Sequence, residues 1–312
     1  MQDIQTTSKK ITVIVPTLNR AKYLESFLRS LLQQNLKPEA CVVIDQSDDD
    51  QTKNLFEKFD LGKIKKIYAH QKVKSLLKAR NNGLDHCPGE DFICFFDDDI
   101  VLENDYLRKL SEVLNRDQTD RYAGCMGTME NIMPVRSLIS RIFMLPHMGN
   151  GKFQMNGMPT FPHGSTQALE TEFVSGGMTM YRSTVLKKYR YDEKMVGYGY
   201  GDDTDLCYRI SRHYKFYYDP SAKLNQVEDV PGRDPGIKHR KGQLQNAYYL
   251  LEKNIGVNPK SLALLAWFYV GIILEDLTKL KRSAVLGDLI GIWNVICKKI
   301  DTVEGYQALK KI

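Results

Sequence analysis

Apolar and polar positions follow a regular rhythm along the first hundred residues. Ile11-Thr12-Val13-Ile14-Val15 is a β-branched run with the pattern of a buried strand, and Pro16-Thr17-Leu18-Asn19-Arg20 turns the chain. From Ala21 to Gln34 the residues Leu24, Phe27, Leu28, Leu31 and Leu32 recur at helical spacing. Pro38 precedes a second strand, Cys41 to Ile44, closed by Asp45. A helix opens after Asp48-Asp49-Asp50 and covers Thr52 to Phe59. Ile64 to Tyr68 reads as a third strand, Ser75 to Asp85 as a helix, and Phe92-Ile93-Cys94-Phe95-Phe96 as a fourth strand ending at Asp97. Strand and helix in alternation predict a parallel α/β sheet.

Residues 120 to 170 lose this rhythm. They are rich in Gly, Pro, Met and Phe, as in Phe143-Met144-Leu145-Pro146-His147 and Met155-Asn156-Gly157-Met158-Pro159, and predict a long loop that is functional or mobile. Glu172 to Tyr181 returns to strand character. The double glycine Gly176-Gly177 inside it marks a bulge or a close backbone approach. Further on, Ser261 to Leu274 is fourteen residues without a charge, bounded by Lys260 and Glu275 and too short to span a bilayer comfortably. A second apolar stretch, Ala284 to Ile296, holds Trp293 and one acid, Asp288. Lys279, Lys281 and Arg282 lie between the two stretches, and Lys298 and Lys299 follow. Two readings stand side by side: helices lying in a membrane interface, or a helical hairpin packed on the main domain or forming a homodimer.

The bulk composition narrows the classes. At 312 residues, 42% of them hydrophobic, the chain can bury a large core. A net charge of +6 permits phosphate-bearing ligands or an anionic membrane, and without a Lys/Arg block no nucleic-acid partner is expected. Cys41, Cys87, Cys94, Cys125, Cys207 and Cys297 form no C-x-x-C pair, which predicts free thiols in a reducing compartment. Met1 to Lys10 is polar and lacks a signal-peptide core, so a cytoplasmic location is expected. The first turn lacks G-x-G-x-x-G, and no P-loop occurs, which disfavours a dinucleotide site.

Two acidic clusters carry the candidate chemistry. Asp97-Asp98-Asp99 closes the fourth strand, and three adjacent carboxylates need water, a cation or a basic partner. Ligands of open α/β sheets sit at that end of the strands. Mg2+ or Mn2+ would use one or two of these carboxylates, water and substrate phosphate oxygens. Taken alone, an acidic triplet is more often a solvated turn. The second cluster, Tyr198-Gly199-Tyr200-Gly201-Asp202-Asp203-Thr204-Asp205-Leu206-Cys207-Tyr208-Arg209, places two acids at the start of a helix. The helix dipole alone accounts for acids there. A general base beside an orienting neighbour has the same pattern, and the pair of clusters together favours catalysis.

In order, Val13-Ile14-Val15-Pro16-Thr17-Leu18-Asn19-Arg20, Val42-Val43-Ile44-Asp45-Gln46-Ser47, Ala79-Arg80-Asn81-Asn82-Gly83 with Phe95-Phe96-Asp97-Asp98-Asp99, and Phe173-Val174-Ser175-Gly176-Gly177 with Gly201-Asp202-Asp203-Thr204-Asp205-Leu206 resemble the motifs of the family 2 glycosyltransferases. The resemblance covers residues 10 to 255. It implies a GT-A fold: a mostly parallel sheet flanked by helices, with residues 1–120 as the nucleotide-sugar half, 121–257 as the acceptor half and 258–312 as a C-terminal helical extension.

The resemblance further implies inverting transfer of a sugar from a nucleoside diphosphate, uridine- or thymidine-linked, to a glycan or lipid-linked acceptor. Mn2+ or Mg2+ would sit on Asp97 and Asp99, with Asp98 near the ribose or a metal-bound water. Asp203 would be the base, with Asp202 as second choice. Pro16, Thr17, Asn19 and Arg20 would line the nucleotide, Asp45 would read the base edge, and Arg80 would face the phosphates with Lys74 and Lys78 as further candidates. Asp-Asp stands here where Glu-Asp is common. Leu224-Asn225-Gln226-Val227-Glu228-Asp229 lacks the histidine that serves many relatives as a metal ligand. Absence of Gln-x-x-Arg-Trp favours single transfer over polymerisation. The location implied is cytoplasmic and peripheral on the inner membrane face. The rival readings are a non-catalytic nucleotide-sugar-binding protein and a sugar nucleotidyltransferase. The latter needs a Gly-rich basic loop where Pro16-Thr17-Leu18-Asn19-Arg20 stands. A phospho-acceptor receiver domain is too short and leaves Asp202-Asp203 unexplained.

Overall fold

The β-branched run at the N-terminus forms β1 (Ile11–Thr17), buried along its whole length. A computed structural model of the chain describes residues 9–87, 89–131, 138–195, 199–227 and 237–297. After β1 come α1 (Ala21–Leu32), β2 (Ala40–Asp45), α2 (Gln51–Lys58), β3 (Lys65–His70), α3 (Leu76–Asp85) and β4 (Phe92–Phe96). β1 pairs in parallel with both β2 and β4, and β2 with β3. Continuous apolar runs suit strands covered on both faces. Leu24, Phe27, Leu28 and Leu31 of α1 lie in the core on one face of the sheet, and Leu77 and Ala79 of α3 lie on the other. Ser75 caps α3 by accepting a hydrogen bond from the Lys78 amide.

The chain continues through β5 (Ile100–Leu102), α4 (Tyr106–Arg116), β6 (Tyr122–Met129), α5 (Leu138–Ile142), β7 (Leu169–Thr171), β8 (Met178–Arg182), α6 (Ser183–Leu186), α7 (Asp202–Ser211) and β9 (Lys215–Gln226). The strands form one sheet in the order β3-β2-β1-β4-β8-β6-β9-β5, with β7 also on β9. This is the expected sheet flanked by helices. Its first half is parallel, while β8 runs antiparallel to both β4 and β6.

The expected long loop over 120 to 170 needs correction, because β6 lies inside that span at the middle of the sheet. Its two glycines weaken the strand signal, but a Cβ at Gly127 would lie 2.1 Å from the Ala222 carbonyl oxygen. β9 is also longer than its sequence suggests. Asp219-Pro220 interrupts the pattern, and a register shift against β6 takes up the irregularity. The strand expected from Glu172 is instead a loop up to Gly177, and β8 begins after it. As expected, all six cysteines are free.

The C-terminal part contains α8 (Ile237–Asn254), α9 (Pro259–Thr278) and α10 (Arg282–Ile296). Leu244 and Leu251 of α8 pack with Leu265, Phe268 and Ile272 of α9 in a third apolar cluster. Asn258 and Ser261 close a reciprocal capping box at the start of α9. The uncharged run of fourteen residues understated this helix, which extends over 20. Asp276 does not end it because that side chain turns inward to Arg240 at 2.5 Å. Among the described residues α9 is the one helix long and apolar enough to cross a membrane, with 39% of its apolar window inside the protein. Tyr198, Glu228, Asp229, Lys298 and Lys299 lie outside the described residues, as does nearly all of Met1 to Lys10.

Candidate active site at the carboxyl edge of the sheet

The parallel strands β1, β2 and β4 end side by side, and their last residues with the turns that follow build the first half of the site. Asp97 follows β4, its amide donating to the Gly177 carbonyl at 3.1 Å. Thr17, the last residue of β1, donates through its hydroxyl to Asp98 at 2.6 Å. Arg20, one turn further, lies 3.4 Å from both Asp98 and Asp99. Gln226, at the end of β9, donates its amide to Asp99 at 3.2 Å. Asp98 and Asp99 are buried, and only Asp97 of the triplet opens to solvent, with 42% of its side chain exposed. Burial pushes the Asp98 carboxyl up to about 7 against the pull of Thr17 and Arg20. The triplet is therefore not a solvated turn.

Pro16 is fully enclosed inside β1. Asn19, in the left-handed region at φ 55°, clamps the first turn to the second. Its amide N–H donates to Ser47 at 2.8 Å, and its side chain exchanges hydrogen bonds with Asp48. Asp45 is buried and accepts from the Ser47 amide at 2.9 Å and the Tyr68 hydroxyl at 2.8 Å. Beside it, Gln46, Ser47, Asp48, Tyr68, His70 and Gln71 line a polar cleft of about 510 Å³ at the ends of β2 and β3. Lys74 forms an ion pair with Asp48 at this cleft.

The second half comes from α7. Gly201 precedes it at φ 91°, and the helix opens on Asp202 and Asp203. Arg80, expected toward the donor phosphates, is buried on α3 and bound to carboxylates of both clusters. It lies 2.6 Å from Asp202, 3.0 Å from Asp203 and 3.5 Å from Asp97. Its guanidinium also lies 5.0 Å from the centre of the Tyr191 ring. Burial, reinforced by the charge of Asp203, raises the Asp202 carboxyl against the opposing effect of Arg80. The double glycine is the close approach its sequence suggested. The Gly176 amide donates to Asp203 at 2.8 Å. A Cβ at Gly176 would fall 2.1 Å from an Asp203 oxygen, and one at Gly177 2.2 Å from an Asp97 oxygen.

A second cavity, of about 220 Å³, opens beside Asp202 and Asp203 and is lined by Phe161, Phe173, Ser175, Gln243 and Phe268. His163 stands behind it, 2.9 Å from the Ser175 hydroxyl. Neither Gln226, His163 nor Phe268 carried a motif signal, since each reaches the site through tertiary packing alone. Asp205, inside the acidic motif, is structural: it pairs with Arg209 at 2.7 Å and Lys253 at 2.8 Å and ties α7 to α8.

The arrangement offers an exposed carboxylate, a buried acidic pocket, and a carboxylate pair set on an arginine and opening on a cavity. For a divalent cation, the hard oxygen donors of Asp97 and Asp99 have the required chemistry, since Mg2+ and Mn2+ take one or two carboxylates and complete their shells with water and phosphate oxygens. No ready cage of three His, Cys, Asp or Glu side chains exists among the described residues.

The family model described as "Glycosyl transferase family 2" matches residues 12–190. Among curated proteins, the chain is 24% identical over 221 residues to the GalNAc(5)-diNAcBac-PP-undecaprenol beta-1,3-glucosyltransferase of Campylobacter jejuni, a match covering 70% of this chain and 65% of that one. The match thus spans just under two thirds of that relative. Among solved structures, S. aureus TarS 1-349 superposes with a TM-score of 0.54 at 17% identity, covering 83% of this chain and 70% of that chain. The mannosyltransferase PcManGT from Pyrobaculum calidifontis, in complex with GDP-Man and Mn2+, superposes with a TM-score of 0.59 at 14% identity, covering 94% and 76%. At these identities the structural likeness shows a shared fold.

Proposed function

The chain belongs to glycosyl transferase family 2, and from that membership we propose that it moves a sugar from a nucleoside diphosphate onto an acceptor hydroxyl in cell-surface glycan synthesis. The observation that carries the reading is the meeting of both acidic clusters on Arg80. The polar cleft beside Asp45 takes the nucleoside, with a uracil or thymine base the first to try, and the cavity beside Asp203 takes the acceptor.

Asp203 accepts the acceptor proton as the hydroxyl oxygen bonds to the anomeric carbon, while the bond to the diphosphate breaks on the opposite face. The diphosphate leaves with the electron pair, and the anomeric centre inverts. Asp203 suits this role better than Asp202. Its side chain is 22% exposed against 12%, and the Gly176 amide and Arg80 fix its direction. Burial, reinforced by the neighbouring charge, raises the Asp202 carboxyl. Mn2+ or Mg2+ bound through Asp97 and Asp99 would supply positive charge to the leaving diphosphate. Thr17 and Arg20 hold Asp98 and Asp99 in place, and alignment of the two substrates supplies much of the acceleration.

The Campylobacter relative is named for an undecaprenol-linked substrate, which supports a lipid-linked glycan as acceptor and a place at a membrane surface for this chain. The test is thermal stabilisation by a panel of nucleoside diphosphates and nucleotide sugars, with and without Mn2+. A shift for one nucleotide that disappears in Asp99→Ala is expected. No shift with any nucleotide overturns the reading.

A further inference from the structure

The helices α9 and α10 are built inside out. Two of their acids face inward: Asp276 meets Arg240 of α8 at 2.5 Å, and Asp288 is fully buried. Large apolar side chains face outward instead. On α9 the exposed residues Trp267, Val270, Leu274 and Leu277 follow a three- and four-residue spacing that makes one stripe, and Leu262 is exposed near the start of the helix. On α10 the exposed residues Leu286, Leu289, Trp293 and Ile296 make another. A helix that is apolar on all sides belongs in a core or in lipid, yet Trp293 is 62% exposed. The patch continues onto α5, where Leu138 and Ile142 are exposed and the Ile142 carbonyl accepts from the Trp267 indole at 2.8 Å.

The turn between the two helices supplies the opposite chemistry. Lys279, Lys281 and Arg282 are exposed there, around Leu280, which is 86% exposed and held in the left-handed region at φ 53°. Apolar stripes with tryptophans and clustered cations are the recognition chemistry of an anionic lipid surface. Two copies of the chain meeting through this turn would bring like charges together.

We propose that the outward faces of α5, α9 and α10 lie on an anionic membrane, with the turn at Lys279 to Arg282 against the headgroups. The chain lies on the membrane and does not cross it through α9. Phe268 lines the cavity beside Asp203, so a spanning α9 would draw the site and the Arg240–Asp276 pair into hydrocarbon. The surface deepens the functional reading, because a lipid-linked acceptor is met at a membrane, but it rests on its own observations.

The test is co-sedimentation of the full chain with vesicles of phosphatidylcholine alone and with added phosphatidylglycerol. Binding to the anionic vesicles is expected, weakening as salt rises. Each basic residue at such a surface is worth about fivefold in affinity, so Lys281→Gln with Arg282→Gln should cost roughly thirtyfold. Leu289→Glu with Trp293→Glu should abolish binding while the melting temperature and the nucleotide-dependent shift stay in place. That shift reads the donor site separately, so failure of transfer and failure of membrane binding are distinguishable. No anionic-vesicle binding by the intact chain, or binding indifferent to both double variants, overturns the proposal. So does a vesicle-inert protein that sediments as a dimer and becomes a monomer in Leu289→Glu with Trp293→Glu, which would give the face to a second copy.

Discussion

Arg80 and Asp203 meet at 3.0 Å although 123 residues separate them in the chain. The same guanidinium reaches Asp202 and Asp97, so one buried cation neutralises carboxylates from the β4 end and the α7 start. A planar fork can bridge acids in this way, whereas a lysine ammonium offers a single point of charge.

Arg80→Ala should therefore remove the one cation shared by Asp202 and Asp203 and lower stability by about 3–5 kcal/mol. Arg80→Lys should keep much of the stability and lose activity, because one ammonium cannot hold both clusters in register. Denaturant unfolding and transfer rates measured on the two variants separate these effects. Equal activity in Arg80→Lys and the unmodified protein would show that the bridge is not needed for the reaction.

Asp203→Asn should reduce kcat by ~10²–10⁴-fold, the usual cost of removing a general base. Nucleotide-dependent stabilisation should persist, since Asp203 lines the second cavity and not the polar cleft. Asp202→Asn should reduce kcat less. A larger loss in Asp202→Asn than in Asp203→Asn would move the base to Asp202.

β1, β2 and β4 were legible because they are short, apolar runs, and because a helical pattern lies between them. β6 and β9 were not. Gly124 and Gly127 remove the side chains that mark a strand, and Pro220 breaks the pattern of β9 where a bulge absorbs it. The acids of the site were visible as clusters, and Gly176-Gly177 was visible as a close approach. The partners of those acids were hidden. Arg80 reads locally as one more cation on a helix, and only the packing of α3 against the sheet shows that it is buried between carboxylates.

Gly176→Ala places a carbon 2.1 Å from an Asp203 oxygen, on a loop whose amide already holds that carboxylate. The carboxylate must rotate away and lose the amide hydrogen bond. Activity should fall by up to the factor seen in Asp203→Asn, with nucleotide-dependent stabilisation retained. Normal turnover in Gly176→Ala would mean that the loop yields freely and does not orient the base.

His163 gives the fold a pH dependence of its own. It is buried behind the cavity, with Nε2 on the Ser175 hydroxyl and Nδ1 without a hydrogen-bond partner. Burial holds its pKa down at about 4, against an ordinary value of 6.5. On acidification the unfolded chain takes up this proton first, so the folded state loses stability as pH falls from 6.5 towards 4 and is unaffected above that window. At pH 5 the loss amounts to about 2 kcal/mol. His163→Gln cannot take up a proton, so its stability should fall less between pH 7.5 and pH 5 by about that amount. Denaturant midpoints at the two pH values check this. If both proteins lose stability equally, the buried imidazole is not the titrating group.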